Sequence, residues 1–241
     1  NSHRVENNSC GYYWDKSFIK INISEYITTG RQQLKLITQF SQTEEIYENI
    51  KKALVFESEK NKLSYKDEIE AVYIVGDFGI ETLGDFKQLD RRALSYRDDF
   101  SIVERPNYLV EGNFVEQGFP FFSGRMVLRK SVVLEASELT GRSIKFSKRC
   151  SMVTKVKVNG KDAGTILWRP YELNLDSMLQ EGENTVEIEI IGTLRNLLGP
   201  HHSKEGESYV VGPHMFYERS PIWCGGVNEN WDDGYCFVEY G

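Results

Sequence analysis

What this chain lacks excludes most of the familiar chemistries. None of its four cysteines stands in a CxxC pair, and their spacing matches no zinc template. Cys150 and Cys236 lie in strand-like runs and read as small buried hydrophobes, while a Cys224–Cys236 bridge and the redox compartment both stay open. There is no block of basic residues interleaved with aromatics. With 29 basic and 36 acidic side chains the formal net charge is −7, which argues against a nucleic-acid partner. No apolar run approaches the length of a membrane span. No basic-then-apolar leader opens the chain; the opening NSHRVENNS reads as an arbitrary cut, so the missing leader says nothing about a parent protein. There is no GxSxG, no P-loop and no dinucleotide fingerprint. What is present is enough apolar and aromatic material, 40% and 12% of residues, to build a real core and to exclude disorder.

The chain is organised around Leu173 to Ile190, LNLDSMLQEGENTVEIEI. Leu173 and Leu175 stand two apart, Asp176 is placed to cap a short turn, and Gly182 is placed to end it. Val186, Ile188 and Ile190 then alternate with Thr185, Glu187 and Glu189, the period of a half-buried strand. Ile21 to Leu36, INISEYITTGRQQLKL, echoes it position for position. Ile21, Asn22, Ile23 and Ser24 fall on Leu173, Asn174, Leu175 and Asp176; Gly30 falls on Gly182; Leu34 and Leu36 fall on Val186 and Ile188. So large an offset means two related modules, not a solenoid.

Elsewhere, Ser41 with Glu44 reads as a capping box opening a helix, with Ile46, Ile50, Ala53 and Leu54 on one face. It is the one helix the sequence predicts. Glu68 to Ile80 reads as a strand buried on both sides, bent at Gly76 and Gly79. Phe86 to Phe100 reads as loop with weak strands, and Arg105-Pro106-Asn107 as the domain boundary. Further strands are expected at 124–134, 143–146, 153–158, 161–168 and 235–240, with Asn159-Gly160 as a hairpin turn and Leu194 to Ser208 as a long polar loop. The expectation is all-β: an antiparallel β-sandwich of jelly-roll type, with one helix in the N-terminal segment. Residues 1–107 would form a β-rich accessory segment and 108–241 the jelly roll. Half a sandwich would expose a core face, so the two segments are expected to pack on each other extensively.

VKVNGKDAGTILWRPYELNLDSMLQEGENTVEIEI resembles the galactose-binding-like jelly roll of large bacterial glycoside hydrolases of the β-galactosidase and β-glucuronidase type. Val156 to Gly160, Gly164, Trp168 to Tyr171 and Gly182 to Asn184 carry the likeness. YIVGDFGI, QGFPFFSG and LRNLLGPHH resemble the C-terminal ancillary region of rhamnosidase-like hydrolases. In those enzymes the catalytic carboxylates usually lie on a separate barrel, and this chain has no strand–helix alternation of that length. The resemblance therefore implies a non-catalytic piece of a larger bacterial enzyme, binding glycan or buttressing the catalytic domain; the compartment stays open, with secreted or cell-surface favoured over cytoplasmic. Its partners would be a glycan and the rest of the parent hydrolase.

Sugar sites combine aromatic plates with hydrogen-bonding side chains. His201, His202, His214, Glu218, Trp223, Trp231 and Asp232, with Trp168, Arg169 and Tyr171, are the candidate ligand-binding residues. Singly, each Trp reads as packing under the long loop; as a group, ligand-facing surface and satellite core both stay open. Adjacent His201 and His202 point different ways on an extended chain and have no carboxylate at a ligand spacing, so no metal is assigned to them with His214. Asn228, Asn230 and Asp232, with Glu239, faintly echo a calcium loop, but Gly234 is displaced and only a structural calcium stays open; no other cofactor is expected. Asp77, Glu218 and Asp232 sit beside aromatics, yet spacing alone cannot place a catalytic carboxylate pair.

Overall fold

The computed structural model describes residues 3–5, 9–60, 62–67, 72–90, 92–148, 150–199, 201–204, 206–207 and 232–241. Among the described residues the fold is all-β, with every strand pair antiparallel, and adds three α-helices. None of the described helices is long and apolar enough to cross a membrane. The chain divides into two units, Asn1–Ile74 and Val75–Gly241.

The second unit is built on a four-stranded sheet of order β10-β9-β12-β7, from β7 (Arg125–Leu134), β9 (Val153–Val158), β10 (Lys161–Ile166) and β12 (Gly182–Ile191). β12 is central because its sequence suits both faces. Asn184, Val186, Ile188 and Ile190 turn inward. Glu187 and Glu189 turn outward and meet cations on the flanking strands: Arg129 at 2.5 Å, Arg125 at 3.6 Å and Lys155 at 3.8 Å. All ten β12 residues pair with β7, and Val186–Ile191 pair with β9. The β9–β10 hairpin turns at Asn159 and Gly160, with φ of 52° and 76°, as that dipeptide predicts.

Two smaller sheets cover the inner face. One is β13-β5-β4, made of β4 (Lys87–Gln88), β5 (Ala93–Tyr96) and β13 (Tyr235–Val238). Between it and the large sheet lies a core of Leu94, Tyr96, Phe114, Val115, Phe119, Ile190, Phe237 and Tyr240. The other pairs β8 (Ser143–Lys145) with β11 (Glu172–Asn174), over Val156, Val158 and Leu175. Layers facing each other across side chains from both inner faces make the unit sandwich-like. A further ladder joins β3 (Gly79–Thr82) to β6 (Phe100–Val103).

Several expectations change here. The unit boundary falls at Ile74–Val75, not at Asn107, because the chain's last strand, β13, pairs with β5. Pro106 is packed rather than linking: a Cβ added to Gly79 or Gly118 would come within 2.5 or 2.8 Å of it. The stretch read as loop with weak strands holds β5, whose Ala93, Leu94 and Tyr96 are buried. The strand expected from Glu68 starts only at Gly79; Val72 and Ile74 are exposed, not buried on both sides, the chain bends at Gly76–Asp77, and 68–71 lie outside the described residues. Trp168 lies beyond the end of β10.

In the first unit, β1 (Ser9–Tyr13) and β2 (Asp15–Ile21) form a hairpin, followed by α1 (Glu44–Val55) and α2 (Glu57–Lys60). The cap of α1 is Thr43, whose side chain accepts from the Ile46 amide, and not Ser41, which binds the Asp67 carboxylate. Ala53 is buried, but Leu54, placed on the same face by the sequence, is 81% exposed. With α2 and α3 (Arg195–Leu198), the helix count exceeds the single one expected.

The repeat is real at its turn. Asn22 Oδ1 accepts from the Ser24 amide at 2.9 Å, as Asn174 Oδ1 accepts from the Asp176 amide at 2.9 Å. The Tyr26 amide donates to the Ile23 carbonyl at 2.9 Å, as the Met178 amide donates to that of Leu175 at 2.8 Å. Gly30 and Gly182 both hold positive φ, 101° and 90°. Beyond that glycine the copies part, since Gly182 opens β12 whereas 31–40 forms no ladder among the described residues.

Candidate functional site

The flank of β13 gathers part of the predicted site. Residues 201–202 run alongside it: the His201 carbonyl accepts from the Cys236 amide, and the His202 carbonyl accepts from the Asp232 amide at 3.1 Å. The His201 ring sits between Phe121, Tyr235 and Phe237, at centroid distances of 5.8, 6.0 and 6.2 Å. Its Nε2 lies 2.9 Å from the Asn196 carbonyl, an acceptor only, so this nitrogen carries the proton. Burial holds the imidazole below its ordinary pKa, and neighbouring Arg195 and His202 add to that against the pull of the carbonyl. His201 is thus a half-buried, backbone-bonded ring packed against aromatic side chains. The His202 ring is tied the same way, with Nδ1 at 3.1 and 2.9 Å from the carbonyls of Asp232 and Gly234.

Asp232 is committed on both oxygens. One accepts from the Gly234 amide at 2.7 Å and the other from the Arg97 guanidinium. Beside this pair opens a cavity of about 270 Å³, lined by Lys87, Leu89, Ser95, Arg97, Ser203, Lys204, Asp232, Gly234 and Tyr235. Its polar groups come from β4, the end of β5, the 203–204 segment and the start of β13. Pairing of β5 with β13 is what brings them together. Lys87, Ser95, Arg97 and Ser203 were not legible as site residues, because nothing local in the sequence joins 87–97 to 232–235.

Trp168, Arg169 and Tyr171 lie elsewhere, between β10 and β11. Arg169 joins Pro170 by a cis peptide bond. The Arg169 guanidinium stands 5.7 Å from the Tyr171 ring centroid, and Trp168 is 74% exposed. None of the three lines the cavity beside β13. His214, Glu218, Trp223 and Trp231 lie outside the described residues, as do Cys224, Asn228 and Asn230.

A second cavity, also about 270 Å³, has Arg92, Cys150, Asn196, Glu207, Glu239 and Tyr240 in its wall. Its carboxylates are both paired, Glu239 with Lys148 at 2.5 Å and Glu207 with Arg195 at 2.6 Å. Burial pushes the Cys150 and Cys236 thiols up, away from the reactive thiolate, and both are free thiols. Among the described residues no group of three or more His, Cys, Asp or Glu side chains is placed to hold a metal ion.

No family model matches this sequence, and no curated protein matches it. Solved structures do. A β-glucuronidase from Bifidobacterium dentium complexed with coumarin-3-O-glucuronide aligns at 20% identity and TM-score 0.32, covering 48% of this chain and 21% of that one. A rhamnosidase from Novosphingobium sp. PP1Y aligns at 20% identity and TM-score 0.33, covering 72% and 16%. A β-D-mannosidase from Dictyoglomus thermophilum aligns at 18% identity and TM-score 0.27, covering 71% and 23%. The chain therefore spans less than a quarter of the length of each of these neighbours.

Proposed function

We propose that this chain is a non-catalytic accessory module of a larger glycoside hydrolase, and that its β13-side cavity binds glycan. The observation that carries the reading is the lining of that cavity. Lys87 and Arg97 offer cationic donors for sugar hydroxyls, Ser95 and Ser203, whose hydroxyl hydrogens go to backbone carbonyls, offer acceptor oxygens, and Tyr235 offers an aromatic ring, in a space of about 270 Å³. The WRPYELNLDSMLQEGEN segment, with its likeness to the sugar-binding jelly rolls of such enzymes, supports the same assignment. Against a catalytic role, Asp232 holds two partners and is spent on structure.

Calorimetric titration of the 241-residue chain with a panel of oligosaccharides tests the reading. Binding should occur and should weaken about tenfold in Arg97→Ala, the loss of one charge-assisted contact. No binding to any glycan would leave the alternative, a structural buttress of the catalytic domain. The exposed Trp168 beside the Arg169–Tyr171 stack favours that alternative, as an anchor for a neighbouring protein surface. Hydrolysis of aryl glycosides by the isolated chain would overturn both.

A further inference from the structure

The two cavities of the second unit have the same volume, about 270 Å³, and opposite charge. Among the described residues of its wall, the cavity beside β13 has Lys87, Arg97 and Lys204 against one carboxylate, Asp232. The other has Arg92 against Glu207 and Glu239. The cations of the first come from separate places: Lys87 from β4, Arg97 from just past β5, and Lys204 from the segment before β13. Like charges gathered in one hollow repel each other, and a chain of net charge −7 has no general surplus of them. A concave wall of one sign focuses its field on ions of the other.

Arg97 is also held in place. A Cβ on Gly234 would come within 2.8 Å of Arg97 Cγ and 2.9 Å of Asp232 Oδ1, so only glycine lets the arginine stem lie against the chain there. Asp232 takes one guanidinium nitrogen, Nη2, and its other oxygen is occupied by the Gly234 amide. A guanidinium has several further N–H donors, arranged to meet a planar carboxylate. Lys87 has no acid left within the described wall to answer its charge.

We propose that the glycan of this cavity is acidic, built of hexuronate units, with a sugar carboxylate held between Arg97 and Lys87. The apolar face of the sugar ring lies toward Tyr235 and Leu89, which share the same wall. This rests on the reading of the cavity as a glycan site and adds the class of sugar.

Calorimetry on the 241-residue chain with matched trisaccharides tests it: each of galacturonate, glucuronate and mannuronate against the neutral sugar of the same linkage, which differs only at C6. In at least one pair the acidic member should bind about tenfold more tightly, as one added charge-assisted contact gives. That ratio should collapse when sodium chloride is raised from about 0.05 M to about 0.5 M. Lys87→Gln should cut the ratio of acidic to neutral affinity about fivefold, whereas Lys87→Arg, which keeps the charge, should preserve it. Neutral members binding as tightly as their acidic partners, or a ratio unmoved by Lys87→Gln, would overturn this proposal and leave the glycan reading standing. No binding by any member of any pair would overturn both.

Discussion

At the scale of single residues, the buried amide of Asn184 shows what the Gly-Glu-Asn stretch does at the start of β12. Its Oδ1 accepts from the Gln180 amide at 2.9 Å and from Asn159 Nδ2 at 2.9 Å, while its Nδ2 donates to the Gln180 and Gly182 carbonyls at 2.7 and 3.1 Å. Asn159 in turn accepts from the Thr185 amide at 2.9 Å. One side chain thus locks the β11–β12 turn to the β9–β10 turn. Asn184→Ala strands several buried polar groups and should cost about 3 kcal/mol in urea unfolding; a loss under about 1 kcal/mol would mean that water replaces the network. His201 makes a prediction of opposite kind. Its folded pKa is depressed by burial, so below the ordinary value of 6.5 the unfolded chain takes up a proton that the folded chain refuses. Its contribution to stability is complete above about pH 6.5 and falls as the pH drops toward the folded value. His201→Gln should flatten the decline of the urea midpoint between about pH 7 and about pH 5. Equal slopes in both proteins would assign the decline to carboxylates. Composition could find His201, His202 and Asp232, since a loop rich in such groups stands out. It could not reveal that their polar atoms are consumed by the carbonyls of Asn196, Asp232 and Gly234, by the Gly234 amide and by Arg97.

Elements with strong internal signals were legible, and those defined by distant partners were not. β12 announces itself by strict alternation, and the β9–β10 hairpin by Asn-Gly. Gly160 has no heavy atom within 4 Å of where a Cβ would stand, so Gly160→Ala isolates the left-handed backbone of the turn. It should destabilise the second unit by about 1 kcal/mol in chemical denaturation, and a neutral result would mean that the turn relaxes to another type. β5 is only four residues long, and acidic Asp98 and Asp99 follow it closely. Its burial arises from β13 far along the chain, a contact no local pattern encodes. β13 is also completed by a side chain in place of a strand. Asn196 Nδ2 donates to the Val238 carbonyl at 2.8 Å, and its Oδ1 accepts from the Val238 amide at 2.9 Å. An amide mimicking a peptide group from inside a one-turn helix has no sequence signature. For the same reason the repeat misled beyond its turn: the pattern copies, but the strands that would pair with the first copy are absent from the described residues.

The whole molecule unites a unit with two packed apolar clusters and a unit in which Ala53 is the one buried apolar side chain among the described residues. Burial of aromatic and branched side chains is the dominant favourable term in folding, about 1.5–3 kcal/mol for each large one. The first unit has its hairpin, its helix α1 and the Ser41–Asp67 and Gln42–Asp67 bonds to set against the entropy of ordering its chain. Cooperativity should therefore be uneven. In native-state exchange along a urea gradient, amides of β9 and β12 should open only with global unfolding. Those of β1 and β2 should open at a much lower free energy and with little dependence on denaturant, the mark of small local openings. Thr43→Ala, which removes the cap of α1, should speed exchange within 44–55 by about fivefold while leaving β12 unchanged. A shared opening free energy for β1 and β12 would show that the two units unfold as one, and the first unit's exposed side chains would then have to be stabilised by something other than burial.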